Sequence, residues 1–353
     1  MLNRIDFFGG LLISTVLAFS FIIINHPEFG PAVGASTFST RSQGVSQAIA
    51  APLISQPDQW QNTIGTFSRK ISQDQYSVTY TWTDYIAEKR TITLDFSKEV
   101  LMNSINQFGL SADTRKKFYQ ENLPGFLEQY QEMKVIISRI KMKKGPVHFR
   151  DHNSANPNLY EEFSQKITWF EQKYLDSQGF HIFNQGRVTI DYSAVVIDHA
   201  PLLKEATVKF LNHAIEKEMS WQMLAYTIMS FVQYINYQLP PVREANRYIG
   251  GLWSPVETLV NGAGDCDTKA VLFSAMLKNY SQFETIIVVI PGHAFNGIKG
   301  WHKRFPRDHV LKLHGQDVLM LDLTSDSNYD LAGGVHELDK QNLRNQFPIV
   351  YEM

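Results

Sequence analysis

The run Asp265–Leu277 (DCDTKAVLFSAML) constrains this chain more than any other. It is apolar on nearly every side, so as a helix it belongs inside a core rather than on a surface. It also begins with a polar start signal. Asp265 is a natural N-cap, and Asn261-Gly262-Ala263-Gly264 ahead of it stops one helix and allows a tight turn. Upstream again, Ser254-Pro255-Val256-Glu257 is a capping box with proline at the first helical position. Cys266, the only cysteine, therefore falls in the first turn of a buried helix. A single cysteine excludes an intramolecular disulfide and a cysteine-based metal cluster.

A helix N-terminus stabilises a thiolate, and its free N–H groups receive a developing oxyanion. Asp265 and Asp267 flank the thiol and oppose its ionisation, so a positive partner is needed. The sequence offers His293. Thr285–Ile290 is a short apolar strand, Pro291-Gly292 turns it, and His293-Ala294-Phe295 opens the next. Two further apolar strands follow, Val310–Leu313 and Val318–Leu323, with Asp322 near the end of the second. A Cys helix packed on strands bearing His and then Asp assembles a Cys–His–Asp triad. The histidine takes the thiol proton and the aspartate holds the imidazole. The expectation is a thiolate paired with imidazolium. Trp253 and Asn261 are candidates for the oxyanion or substrate contact by proximity in sequence. No zinc spacing occurs, and Asp326–Glu337 imitates a calcium loop but has Leu331 where the sharp turn needs glycine. No metal and no cofactor are expected.

The segments SPVETLVNGAGDCDTKAVLFSAML, VVIPGHAFNG and VLMLDLT, in that order, resemble the transglutaminase-like superfamily of cysteine enzymes. More narrowly they resemble its membrane-anchored prokaryotic members. The resemblance covers residues 210–334 and matches Cys266, His293 and Asp322 to the family's nucleophile, histidine and acidic third member. Thr268 and Lys269 depart from the acidic or small residues that many relatives carry there. The resemblance implies an α+β fold: a papain-like catalytic domain, with a helix packed on an antiparallel sheet, after a mixed α/β accessory domain and one N-terminal transmembrane helix. It implies an enzyme that cleaves peptide or isopeptide amide bonds through an acyl-enzyme. The alternatives are a transamidating (cross-linking) enzyme of the same fold and a non-catalytic binding or assembly module.

The rest of the chain fits that plan. Phe7–Ile24 is an uncharged apolar run preceded by Arg4 and followed by no lysine or arginine before Arg41. It predicts a single-pass anchor in the inner (cytoplasmic) membrane with the bulk of the chain extracytoplasmic or periplasmic. A cleaved signal peptide is the alternative. The expected domains are an anchor (1–25), a Pro-, Gly- and Ser-rich linker (26–58), an accessory domain (59–200), the catalytic domain (201–335) and a tail (336–353). Within the accessory domain, Tyr76–Phe96 alternates as a hairpin, Ser111–Lys144 is helical with Pro124 as an interruption, and Val188–Ile197 is a strand. Phe210–Tyr237 is a helical stretch ending before Pro240-Pro241. The basic cluster Arg139–Arg150 reads as a solvated helix end. A net charge of −2 and the absence of a zinc-finger or RNA-binding signature exclude a strongly basic nucleic-acid binder. The expected partners are a peptide or protein substrate, with the cell envelope as one source, and the membrane through the N-terminal helix.

Overall fold

The computed structural model describes residues 58–62, 65–129, 157–183, 187–303, 308–324, 335, 339, 343 and 348–353. The proposed anchor and linker (Asp58 aside), the Arg139–Arg150 cluster and the calcium-like loop (Val335 aside) lie outside these residues. Among the described residues no helix is long and apolar enough to cross a membrane. The fold is mixed α+β with antiparallel sheets.

The described chain forms two compact units, one of Leu110–Ile190 and the other of Ala51–Gly109 with Asp191–Met353. The first unit holds helices over Ala112–Gln129 and Pro157–Asp176 and a hairpin of Phe180–Phe183 with Arg187–Ile190. The earlier of these helices runs on across Pro124 rather than being interrupted by it. Phe170, Tyr174, Leu175 and Phe180 are buried in this unit, together with a polar group in which Glu171 accepts hydrogen bonds from Arg115 and Tyr119.

The second unit begins with a four-stranded antiparallel sheet, β1 (Gln59–Asn62), β2 (Gly65–Ile71), β3 (Gln75–Thr83) and β4 (Lys89–Ser97), in sequential order. The β3–β4 hairpin follows the alternation legible in the sequence, with Tyr76, Val78, Tyr80 and Trp82 buried on one face. Short helix α1 (Lys98–Asn106) follows. In the numbering used from here, the first unit contributes α2 (Ala112–Gln129), α3 (Pro157–Asp176), β5 (Phe180–Phe183) and β6 (Arg187–Ile190).

The second unit then resumes. The expected strand Val188–Ile197 is corrected: β6 ends at Ile190, and α4 (Tyr192–His199) starts on Asp191, whose carboxylate accepts the Ala194 N–H at 3.0 Å. Val195 and Val196 are buried in this helix, so packing overrides their β preference. The single helical stretch expected over Phe210–Tyr237 is two helices, α5 (Lys204–Glu216) and α6 (Trp221–Tyr234). Glu218 at φ 51° breaks the first, and Ser220 caps the second through the Met223 N–H at 3.2 Å.

Next come β7 (Asn236–Tyr237), β8 (Arg243–Glu244), β9 (Arg247–Tyr248), α7 (Pro255–Asn261), β10 (Ala263–Gly264) and α8 (Cys266–Leu277). The expected capping box at the start of α7 is present, with Ser254 and Glu257 bonding reciprocally. The last sheet contains β11 (Thr285–Ile290), β12 (His293–Lys299), β13 (His309–Leu313), β14 (Gln316–Leu321) and β15 (Ile349–Glu352). Its order is β13-β14-β12-β11-β15, with every neighbouring pair antiparallel. Helix α8 packs on β12 and β11. Ile286, Val288, Ile290, Phe295, Val318 and Met320 form one buried cluster of this sheet.

Candidate active site

The turn that presents Cys266 is shaped from both sides. Gly262 closes α7 in the left-handed conformation (φ 68°), and a Cβ there would meet the Phe67 ring at 2.8 Å. A Cβ on Gly264 would lie 2.7 Å from Thr268 Cγ2. Both positions require glycine, which accounts for the Asn-Gly-Ala-Gly spelling. Asp265 then caps α8, its Oδ1 accepting the Thr268 N–H at 3.0 Å. Every residue of α8 except Asp267 is buried. The N–H groups of Cys266 and Asp267 have no acceptor inside the helix.

The sheet supplies the other two members. Asn296 pairs with Leu321 across β12 and β14, so Asp322 follows opposite Phe295. Residues directly opposite point to one side, and alternate residues share it. His293, Phe295 and Asp322 therefore share a side of the sheet. His293 Nε2 and Asp322 Oδ2 lie 3.3 Å apart, and the imidazole packs edge-on against Phe295 with centroids at 4.2 Å. The other Asp322 oxygen accepts from Thr324 N (2.9 Å) and Thr324 Oγ1 (2.7 Å). With Nε2 committed to Asp322, Nδ1 is the imidazole nitrogen left for a thiol. The N–H of Ala294, the residue beside His293, is turned toward Cys266 Sγ and acts to lower the thiol's pKa.

Burial pulls the His293 pKa down, but the Asp322 hydrogen bond and charge, aided by Asp339 and Asp267, raise it overall above the ordinary imidazole value. Burial pushes Asp322 up, and His293 with Thr324 brings it below the ordinary carboxylate value. The thiol differs from the expected thiolate. Burial first, then the charges of Asp267 and Asp265, push Cys266 up to about 12, against the small opposing effect of the Ala294 N–H. Its S–H donates to Asp267 Oδ1 at 3.3 Å. The resting form is a neutral thiol on a carboxylate, not a thiolate–imidazolium pair.

Of the two oxyanion candidates, Trp253 is buried, and its indole N–H faces the Glu244 carboxylate without closing a well-formed hydrogen bond. Asn261 is the buried last residue of α7. Neither is hydrogen-bonded to Cys266.

Residues to which the sequence assigned no role in the site complete the surroundings. The buried Lys269 donates to the Gln233 carbonyl at 3.1 Å, and Gln233 Nε2 donates to the Asp322 carbonyl at 2.7 Å. This chain ties α8, through α6, to the strand end that carries Asp322. Tyr192 donates to Asp267 Oδ2 at 2.5 Å. No short-range pattern links these residues, because each bond spans distant sequence.

His293, Asp322 and Asp339 bring possible ligand atoms within 4.8 Å of one another. The contacts already on Asp322 account for its position as a histidine partner. Compared with family models, curated proteins and solved structures, the chain matches none.

Proposed function

We propose that the chain is a transglutaminase-like thiol enzyme that cleaves peptide or isopeptide amide bonds. The observation that carries this reading is the convergence of three elements. The Cys266 thiol lies at the start of buried α8 with the Ala294 N–H turned toward it, and His293, next to Ala294 in the strand, is held by Asp322. The helix-on-antiparallel-sheet layout and the three sequence blocks support the papain-like, transglutaminase-like assignment.

In this reading His293 Nδ1 removes the thiol proton as Sγ attacks the amide carbonyl. The oxyanion faces the N–H groups at the start of α8, which have no acceptor inside the helix. Imidazolium then protonates the leaving amine, the C–N bond breaks, and a thioester on Cys266 remains. Water, deprotonated by His293, hydrolyses the thioester. An amine in place of water gives transamidation through the same acyl-enzyme. The substrate is a peptide or protein, and the uncharged run Phe7–Ile24 supports placing the enzyme on the outer side of the inner membrane. Protection of the C-terminal part from protease added to that side would sink the topology.

Labelling the purified protein with an acyl electrophile, followed by peptide mapping, tests the chemistry. The label is expected on Cys266, and His293→Ala should abolish it. A folded wild type that takes no label overturns the enzyme reading in favour of a binding module.

A further inference from the structure

The phenol of Tyr192 is buried, lies far in sequence from the thiol, and has no part in the reaction as written. Its hydroxyl goes to Asp267, the residue whose other oxygen holds the thiol proton. A carboxylate pinned through one oxygen has the direction of the other fixed as well. Asp267 is the one residue of α8 that is not buried, so without that pin it would turn toward water. Tyr192 is itself anchored. It occupies the first turn of α4 behind the Asp191 cap, and its ring meets Tyr351 edge-on with centroids at 5.0 Å.

We propose that Tyr192 is a positioning residue of the thiol site: acting through Asp267, it holds the Cys266 proton on the carboxylate and away from His293. The inference rests on Cys266 being the reactive group, as argued above. It adds that the free protein stores its nucleophile as a neutral thiol. Transfer of the proton to His293 Nδ1 first requires the S–H···Oδ1 bond to break. Asp267 and Asp265 on α8 face the thiol; the same two carboxylates and Tyr351 on β15 face Tyr192; Asp191 faces Tyr351; and His293 on β12 faces Asp267 as well as Asp322 and Asp339. Asp267 and Asp265 both favour the protonated thiol, which is the direction the latch needs, and the hydrogen-bond geometry selects Asp267 of the two.

The test is the rate of Cys266 alkylation by iodoacetamide against pH, in the full chain, for wild type, Asp267→Asn, Tyr192→Phe and the double variant. Cys266 is the only thiol, so the label reports one site. The wild type should react slowly at neutral pH. Asp267→Asn removes the charge and should move the reactive limb to lower pH. Each pH unit of movement raises the neutral-pH rate about tenfold. Tyr192→Phe keeps the ring against Tyr351, frees the carboxylate to leave, and should move the limb the same way. The double variant should match Asp267→Asn, because Tyr192 acts only through that residue. A melting scan checks folding. The inference is overturned when Asp267→Asn or Tyr192→Phe superimposes on wild type, or when the two effects add. Alkylation needs no turnover, so the two readings fail separately. These profiles in a protein that cleaves nothing sink the enzyme reading alone. Unchanged profiles in an active enzyme sink the latch alone.

Discussion

Tyr80→Phe tests whether the N-terminal sheet is a structural part of the thiol site. Helix α7 ends just before the glycine turn, and its last carbonyls have no partners within the helix. The sheet supplies them. Tyr80 Oη donates to the Leu259 carbonyl at 2.5 Å, and Arg69 Nη1 donates to the Val260 carbonyl at 2.8 Å. Arg69 also places a cation at the negative end of the helix dipole. Tyr80→Phe deletes one oxygen and keeps the ring contacts with Phe67 and Phe231, each at 5.0 Å between centroids. The Leu259 carbonyl then stays buried without its donor, a loss of about 1–3 kcal/mol. For a unit of this size that lowers Tm by roughly 2–12 °C. Urea unfolding followed by tryptophan fluorescence measures it. The expected result is an earlier midpoint at unchanged slope. A Tyr80→Phe protein within about 0.3 kcal/mol of wild type, below the usual net value of a hydrogen bond, would refute the capping argument.

Gly297→Ala should destabilise by about 1–3 kcal/mol, as overpacking does. Its Cβ would meet Val318 Cγ1 at 2.5 Å and Ile286 Cγ1 at 2.8 Å on the strand that carries His293, and a melting curve equal to wild type would exclude this. Because the thiol is neutral, the acid limb of kcat/KM should report His293 and lie above the ordinary imidazole value; Asp322→Asn should move that limb down, and an unmoved limb would show that the two are uncoupled. The same substitution should reshape the dependence of stability on pH. His293, raised on folding, contributes fully below its unfolded pKa and loses the contribution as pH rises through its folded value. Asp322, lowered on folding, contributes above its unfolded pKa and loses the contribution as pH falls through its folded value. The pair therefore stabilises most between about pH 4 and 6.5, and Asp322→Asn should flatten the profile there in urea titrations.

Local chemistry made much of this legible. The α7 capping box, the Asp265 cap, the glycine turn and the β3–β4 hairpin all follow from residues within a few positions of one another. The order Cys, His, Asp also survives folding as a geometric relation for the last two, because strand register brings Asp322 to His293. What escaped depends on packing. Tyr192-Ser193-Ala194-Val195-Val196 spells a strand by composition, yet the Asp191 cap and a buried face make it helix α4, and only that helix delivers Tyr192 to Asp267. Strand β15 pairs with β11 from the far end of the chain, a partnership no local pattern encodes. The β1–β4 sheet reads as part of an accessory domain, but its side chains cap α7, and only the folded chain makes that visible.

The electrostatic outcome at Cys266 follows from comparing magnitudes. A helix N-terminus favours a negative charge by about 0.3–1 kcal/mol, reaching ~2 when partly buried. Two carboxylates and the loss of solvent work the other way, and the thiol is pushed from 9.0 up to about 12, so the dipole does not prevail. The same dipole remains available to a different anion. In the proposed reaction an oxyanion would arise only when substrate is attacked, in front of the N–H groups of Cys266 and Asp267, which have no acceptor within the helix. In that reaction, an N-terminus that leaves its own thiol protonated at rest would stabilise the tetrahedral intermediate relative to the ground state, and that difference, rather than thiolate content, would accelerate the step.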